Sequence, residues 1–193
     1  MKTQILIIFS LLLSACQQQQ DKADDFVPQH YEMKSSENLV MKNDVLWFNQ
    51  KKYSGFLIEL NANKDTILLE TYVAGRLNGT CKKWYPNRQL QEVRQYKAGK
   101  KEGKQIAYWE NGKKRFEFFA KNGEYEGELK EWSSNGKLFH LANYENGHEE
   151  GTQKMWYDNG KVRANYVIIK GRRFGLLGTK NCKNVSDSIF VVQ

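Results

Sequence analysis

Glycine recurs every 24 residues along most of this chain of 193 residues. The copies are Gly55, Gly79, Gly103, Gly127, Gly151 and Gly175, and no insertion disturbs their spacing. Four residues before five of them stands a second glycine, at Gly75, Gly99, Gly123, Gly147 and Gly171. A fixed period of this length predicts a row of similar supersecondary units, each of which buries its apolar side chains against its neighbours.

Three more columns of residues keep the same phase as the glycines. A mostly aromatic column lies five residues after the leading glycine, at Leu60, Trp84, Tyr108, Trp132 and Trp156. An asparagine column follows three residues later, at Asn63, Asn87, Asn111, Asn135 and Asn159, and glycine follows the last three of these. A second apolar column holds Tyr72, Tyr96, Ala120, Tyr144 and Ile168.

Each unit has the pattern of a β-hairpin. Asn-Gly between two alternating segments favours a type I′ turn, which needs positive φ at both central residues. The pair of glycines predicts the opposite bend, where the chain enters the next unit. We therefore predict an all-β fold, an elongated open antiparallel meander or solenoid of stacked 24-residue hairpins. Two strands per unit advance the array by roughly 10 Å.

The columns also predict the packing. Both apolar columns are expected to pack as the apolar spine of the stack. Trp109 and Tyr157 directly follow the aromatic column, so they are expected on the opposite face. Together with Tyr85 they are our candidates for exposed residues that contact a partner.

The motif Gly-x-x-x-Gly-x-x-x-x-Trp/Tyr-x-x-Asn-Gly resembles the MORN repeat, in the variant found in the YwqK-like antitoxin family. The resemblance extends over about residues 48–174. The extended face of a stacked sheet with repeated aromatic residues favours a protein-binding or scaffold module. The resemblance implies the alternative, an antitoxin or immunity protein that neutralises a toxin. In copy one, Lys51 occupies the position four residues before the leading glycine, where the later copies have glycine. In copy six, Lys180 occupies the position of the aromatic column. Degenerate end copies are typical of capping repeats, so we assign residues 38–180 to the array and residues 181–193 to a capping segment.

Residues 1–15 have the pattern of a signal peptide. Lys2 gives a positive start, and the apolar run Ile5–Leu13 is too short to span a bilayer as a helix. The run ends at Leu13-Ser14-Ala15-Cys16, which looks like a bacterial lipobox. This resemblance implies cleavage before Cys16, acylation of that cysteine and a membrane anchor. An ordinary secretion signal that happens to precede a cysteine is the alternative.

Residues 16–37 are predicted to form a flexible tether, because their polar composition leaves too little apolar surface to bury. Gln17 takes the place of the aspartate that retains lipoproteins in the inner membrane of enteric bacteria. We therefore expect a lipoprotein of the outer membrane, on its periplasmic side or exposed at the cell surface. The net charge of +8 would permit binding to nucleic acid, but an anchor outside the cytoplasm argues against that partner.

The sequence shows no pattern of a catalytic or metal site. His30, His140 and His148 lack partners at metal-ligand spacing. Cys81 and Cys182 lie about four units apart, roughly 40 Å in a linear array, so a disulfide is not expected. An enzyme that acts on envelope polymers would need an irregular polar cluster, and none interrupts the period. We therefore predict no enzyme, no metal and no cofactor.

Two charged columns follow the predicted edges of the sheet. Glu102, Glu126 and Glu150 precede the leading glycines and are expected to be solvated. A basic row marks the Asn-Gly turns, at Lys64, Arg88, Lys113, Lys114, Lys137 and Lys161. The row has two interpretations: a surface for lipid headgroups, lipopolysaccharide phosphates or an acidic partner, or charges that keep a long sheet soluble and discourage edge pairing.

Overall fold

The computed structural model describes residues 29–177, and every regular element in that range is a β-strand. Each unit has one long strand at the leading glycine and a second long strand that returns beside it. The first strands are β5 (Gly55–Leu60), β8 (Gly79–Trp84), β11 (Gly103–Tyr108), β13 (Glu124–Trp132) and β16 (Gly151–Trp156). The second strands are β6 (Thr66–Val73), β9 (Leu90–Lys97), β12 (Lys114–Lys121), β14 (Leu138–Glu145) and β17 (Val162–Ile169).

Shorter strands complete the fold: β1 (Tyr31–Met33), β2 (Leu39–Lys42), β3 (Val45–Phe48), β4 (Lys51–Lys52), β7 (Arg76–Leu77), β10 (Lys100–Lys101), β15 (His148–Glu149) and β18 (Arg172–Leu176). The long strands and β18 pair antiparallel in chain order, and β1 lies parallel to β5 at one edge of the same open sheet. β2, β3 and β4 form a separate small sheet. The leading glycine faces the same column in successive hairpins, as in Gly79↔Tyr96 and Gly127↔Tyr144. This register confirms the predicted stack of 24-residue units.

The Asn-Gly turns do not have the predicted type I′ geometry. After β11, the amide of Gly112 donates to the carbonyl oxygen of Trp109 over 2.8 Å, and the Trp109 amide donates to the carbonyl oxygen of Lys113 over 2.8 Å. Gly112 has a φ of 82°, whereas the φ of Asn111 is not positive. This is a type I turn followed by a glycine bulge. Asparagine suits it because its side-chain oxygen accepts the amide two residues later, at Asn111, Asn135 and Asn159.

Type I′ turns occur at the opposite bend. Asn122 and Gly123, which connect β12 to β13, have φ values of 54° and 93°. Ala74 and Ala98 take the first position in earlier units, at 49° each, and glycine follows both. A two-residue connection of type I′ needs positive φ at both central residues. The earlier glycine of each pair, rather than the Asn-Gly step, therefore closes the two-residue turns.

The main sheet has a buried face and an outer face. Successive residues of a strand point to opposite faces, and most buried side chains of this sheet fall on the same one. The buried face carries a column two residues after the leading glycine, at Leu57, Cys81, Gln105, Leu129 and Gln153. Buried residues of the second strands share this face, among them Leu68, Tyr72, Phe118, Ala142 and Tyr166.

The aromatic column is not part of the spine that the sequence predicts. Its members are only half-buried, at Leu60, Trp84, Tyr108, Trp132 and Trp156. They stand three residues after the buried column, and an odd separation places them on the outer face. The prediction is correct for the second apolar column, where Tyr72, Ala120 and Ile168 are buried and the other two members are half-buried.

Polar residues divide the buried face into three apolar clusters, centred on Leu57, Phe118 and Tyr166. The side-chain amide of Gln105 donates to the carbonyl oxygen of Gln95 over 2.9 Å, and that of Gln153 donates to Asn143 over 2.8 Å. These bonds lie beside the leading glycines, where the ladder between neighbouring hairpins has no paired residues. The same two carbonyl oxygens also accept the backbone amides of Glu102 and Glu150, over 2.9 Å each. The buried side-chain amides therefore reinforce the connection between hairpins where the ladder is interrupted.

The ordered sheet begins inside the segment predicted as a tether. Residues 31–33 form β1, and the ring of Tyr31 stacks on Phe56 with centroids 4.9 Å apart. The tether prediction for residues 16–37 is therefore wrong at its C-terminal end, because a few apolar side chains are enough to add a strand to an existing edge. The predicted signal peptide, Cys16 and the capping segment lie outside the described residues. Within residues 29–177 no helix is long and apolar enough to cross a membrane.

Candidate binding surfaces

Two of the three predicted contact residues bind the backbone of the neighbouring unit. The Tyr85 hydroxyl donates to the carbonyl oxygen of Tyr108 over 3.0 Å, and the indole nitrogen of Trp109 donates to that of Trp132 over 2.8 Å. Each bond spans 23 residues and so joins one unit to the next. Tyr157 is 41% exposed. The polar atoms of Tyr85 and Trp109 therefore join neighbouring units, and both side chains are half-buried. That they contact a partner stays a prediction.

The basic row at the Asn-Gly turns also joins neighbouring units, a role that neither predicted interpretation includes. Lys64 and Lys161 in this row are exposed. Three of its cations reach oxygen atoms of an adjacent unit: Arg88 lies 2.7 Å from Asp65, Lys113 donates to the Asn135 carbonyl over 2.8 Å, and Lys137 donates to the Asp158 carbonyl over 3.1 Å.

The glutamate column is structural, which corrects the expectation of a solvated edge. Each carboxylate accepts a hydrogen bond from the backbone amide of the first central residue in the next type I′ turn. That amide has no partner in the strand ladder. The three bonds join Glu102 to Asn122 at 2.8 Å, Glu126 to Asn146 at 3.0 Å, and Glu150 to Lys170 at 3.0 Å. In the earlier units, Ser54 and Asn78 accept the corresponding amides.

Replacing Glu126 with alanine should destabilise the array by about 1 kcal/mol. This is less than the roughly 1.5–3 kcal/mol of a hydrogen bond to a charged group, because this turn is open to water. Glu126→Asn should lose less, since Asn78 makes the same bond elsewhere. Glu128→Ala, which removes an exposed contact with Lys130, is the control and should change stability by about 0.5 kcal/mol or less. Urea denaturation followed by circular dichroism measures these differences. Equal losses in the two alanine variants would contradict the capping role.

A continuous row of aromatic rings crosses the buried face. The centroids of Phe116 and Phe118 are 5.8 Å apart, those of Phe118 and Tyr125 are 4.6 Å apart, and those of Tyr125 and Tyr144 are 4.9 Å apart. We call these four residues the ring row. β12, β13 and β14 supply them, so two neighbouring units build one surface. Tyr125 is 40% exposed, which leaves its ring accessible.

The tyrosines on this face have unused polar groups. Among the described residues, the hydroxyls of Tyr96, Tyr125, Tyr144 and Tyr166 form no hydrogen bond. Burial raises the pKa values of Tyr96, Tyr144 and Tyr166 above the ordinary pKa of tyrosine, so these phenols stay neutral at physiological pH. A neutral phenol can both donate and accept. The face therefore combines apolar ring surface with groups that are free to bind a ligand.

Cations flank the rings along the array. The guanidinium carbon of Arg94 lies 4.7 Å from the centroid of Phe116, and Glu92 holds that guanidinium at 2.9 Å. The ammonium of Lys101 lies 5.9 Å from the centroid of Phe118. A cation over a ring face is attracted by the quadrupole of the ring. The ring row thus has cations in contact with its aromatic rings.

Cys81 is buried beside a cavity of about 40 Å³ that Glu70, Lys83 and Glu92 help to line. Burial raises the pKa of its thiol to about 11. The thiolate is the reactive form of cysteine. A neutral, buried thiol is a poor nucleophile, so this cluster supplies no activated cysteine.

Iodoacetamide at pH 8 should alkylate Cys81 about 100-fold more slowly in the folded protein than in urea, because a rise in pKa of two units reduces the thiolate fraction by that factor. The rate should rise with pH towards 11, since deprotonation occurs there. Peptide mass spectrometry distinguishes Cys81 from Cys182. Equal rates in the folded and unfolded protein would contradict the protected thiol.

Histidines and acids do not form a metal cluster in the described part of the chain. Within residues 29–177, no group of three or more His, Cys, Asp or Glu side chains could hold a metal ion. His140 contacts Glu131 at 2.7 Å, and His30 contacts Glu32 at 3.1 Å. The absence of a metal and of a cofactor from the whole protein stays a prediction.

Sequence reasoning missed the ring row because only Tyr144 belongs to a recurring column, and its other three members do not recur. The position of Phe118 holds Glu70 and Arg94 in the preceding units, and that of Tyr125 holds Leu77 and Lys101. A column search finds only residues that recur. The available signal was the local density of rings between residues 116 and 125, which includes Phe116, Phe118, Phe119 and Tyr125.

Comparison with known families identifies the repeat type. The family model described as the MORN repeat variant matches residues 101–122, 125–146 and 149–166. A search of curated proteins gave no match. The matched segments correspond to the third, fourth and fifth hairpins, in which β11, β13 and β16 pair with β12, β14 and β17 in the same register. Residues 101–166 are therefore MORN-variant repeats.

Proposed function

We propose that this protein is a lipid-anchored module of the cell envelope that binds a protein partner through the ring row and the tyrosines beside it. One observation carries the proposal: a row of rings in contact, beside tyrosine hydroxyls that bind nothing within residues 29–177. Tyrosine is enriched at protein interfaces because it joins a large apolar area to a polar group. MORN repeats are generally modules that contact membranes or proteins, which agrees with this assignment.

The chemistry of the described residues supports binding rather than catalysis. The pKa of the Cys81 thiol is raised, so the group is not activated. Glu92 is held by Lys83 at 3.3 Å and by Arg94 at 2.9 Å, which leaves it engaged rather than poised as a base. The anchor at Cys16 and the outer-membrane location rest on the lipobox pattern and are part of the proposal.

Photo-crosslinking tests the assigned face. Benzoylphenylalanine in place of Tyr125 should give a discrete protein adduct when cells are irradiated. The control places the same group at Ile169, which is 53% exposed on the outer face, and should give little or none. Tyr144→Ala should reduce the adduct from position 125, because it removes the adjacent ring. Absence of an adduct from position 125, or equal amounts of adduct from positions 125 and 169, would contradict the proposal.

Neutralisation of a toxin is the second candidate, because the motif resembles that of the YwqK-like antitoxin family. An envelope anchor would restrict the toxin to one that acts in the envelope. Expression of the protein should then protect cells exposed to the toxin of a neighbouring gene, and Tyr125→Ala with Tyr144→Ala should abolish the protection. Survival that does not depend on the protein would exclude this role.

A further inference from the structure

A second charged surface lies on the outer face at the type I′ bends of the first three units. It consists of Arg76, Lys97, Lys100 and Lys121, all of which are exposed. Within residues 29–177 none of the four forms an ion pair with a carboxylate. We call these four residues the basic corner. It differs from the basic row at the Asn-Gly turns, where three cations bind neighbouring units.

The cations of the basic corner lie close together. Lys97 and Lys100 are direct cross-strand partners in β9 and β10, and like charges in that position repel. The guanidinium Nη1 of Arg76 lies 3.7 Å from the position that a Cβ on Gly99 would occupy, so it covers the same bend. Three positive charges therefore lie at one turn, where their mutual repulsion destabilises the fold.

The adjacent bend continues the positive row. The Cβ of Lys100 lies 3.9 Å from the position that a Cβ on Gly123 would occupy, and Lys121 precedes that turn directly. The nearby carboxylate of Glu102 is bound to the amide of Asn122. Glu124, the cross-strand partner of Lys121, packs instead beside Gly147, 3.3 Å from its Cβ position. A cluster of cations without compensation produces a local positive potential.

Phe119 provides an apolar group next to these charges. It precedes Lys121 by two residues, so strand alternation places both on the outer face, and it is 53% exposed. The positive region is narrow. Two units after Lys97 and Lys100, the equivalent positions hold Glu145 and His148, so a planar anionic bilayer laid along the bends would meet carboxylates.

We propose that the basic corner binds an acidic polypeptide segment, with Phe119 as the apolar anchor. A narrow chain can follow the cations from Arg76 to Lys121 without reaching Glu145. Charged and polar contacts of this kind provide specificity and speed of association. This surface is separate from the ring row, and the inference does not depend on the partner that the ring row binds.

Fluorescence anisotropy with a labelled peptide of glutamates and one central leucine tests the proposal on the mature protein. Lys97→Gln with Lys100→Gln should weaken binding about tenfold, and Phe119→Ser should weaken it about threefold. The control, Lys154→Gln with Lys161→Gln, removes the same charge elsewhere and should leave the affinity nearly unchanged. The first double variant should melt no lower than the parent protein, because it relieves the repulsion between Lys97 and Lys100.

Three outcomes would overturn the proposal. Absence of peptide binding at low salt is the first. Equal weakening by the two double variants is the second, because it would mean attraction by net charge alone. In the third outcome, the protein binds vesicles that contain phosphatidylserine but does not bind the peptide, and Lys97→Gln with Lys100→Gln abolishes the vesicle binding. That result would assign the basic corner to a membrane.

Discussion

Cys16→Ala should abolish fatty-acid labelling of the protein and move it from the membrane fraction to the soluble fraction. Each CH₂ of an acyl chain buried in a bilayer contributes about 0.8 kcal/mol, so the loss of several chains removes the anchor that we propose. The expected effect is close to complete. Metabolic labelling with palmitate, followed by fractionation, measures it directly.

Cys81→Ala is the matched control, because it removes a cysteine that is buried in the array. That variant should keep both the label and the membrane attachment. If Cys16→Ala also kept them, the lipobox interpretation would be wrong, and the ordinary secretion signal would be the better account of residues 1–15.

Gly75→Ala should destabilise the protein more than the same change at any other type I′ turn. Gly75 has a φ of 79°, and its new Cβ would lie 2.4 Å from a methyl carbon of Val45 and 2.7 Å from the carbonyl oxygen of Leu46. The left-handed conformation costs about 1–2 kcal/mol for alanine. Overpacking against β3 adds about 1–3 kcal/mol. The backbone of Leu46 cannot move freely, because its amide donates to the Gly75 carbonyl over 2.8 Å.

Gly171→Ala separates the two costs. Gly171 takes the same place in its turn with a φ of 74°, and nothing lies within 4 Å of its Cβ position. It should therefore show the backbone strain alone. Chemical denaturation followed by circular dichroism measures the loss of stability in both variants. Equal destabilisation by the two variants would mean that the packing of β3 on this turn contributes little.

The turns show how far a local pattern can be trusted. Asn-Gly correctly marks one end of each hairpin, but the geometry there is a type I turn with a glycine bulge. Asn111 and its equivalents use their side chains to accept an amide, a role that the dipeptide rule for type I′ turns does not consider. Glycine pairs mark the other end, where two-residue turns need positive φ.

The candidate surfaces were harder to predict than the fold. Tyr85 and Trp109 have the composition of contact residues, yet each donates to a carbonyl group of the next unit. Three of the four rings in the ring row occupy positions at which aromatic residues do not recur. The basic corner was not singled out because lysines occur at both edges of the sheet, and only their contacts distinguish engaged cations from free ones.

The sequence by itself determined the number, length and order of the hairpins, because positive φ at glycine and the alternation along a strand are local properties that repeat with the chain. Only the tertiary structure decided which face is buried and which polar atoms join neighbouring units. Those contacts link residues 20 to 24 apart, and they depend on how each hairpin is staggered against the next. A pattern of residue types does not contain that stagger, so the binding surfaces became visible only once the units were stacked.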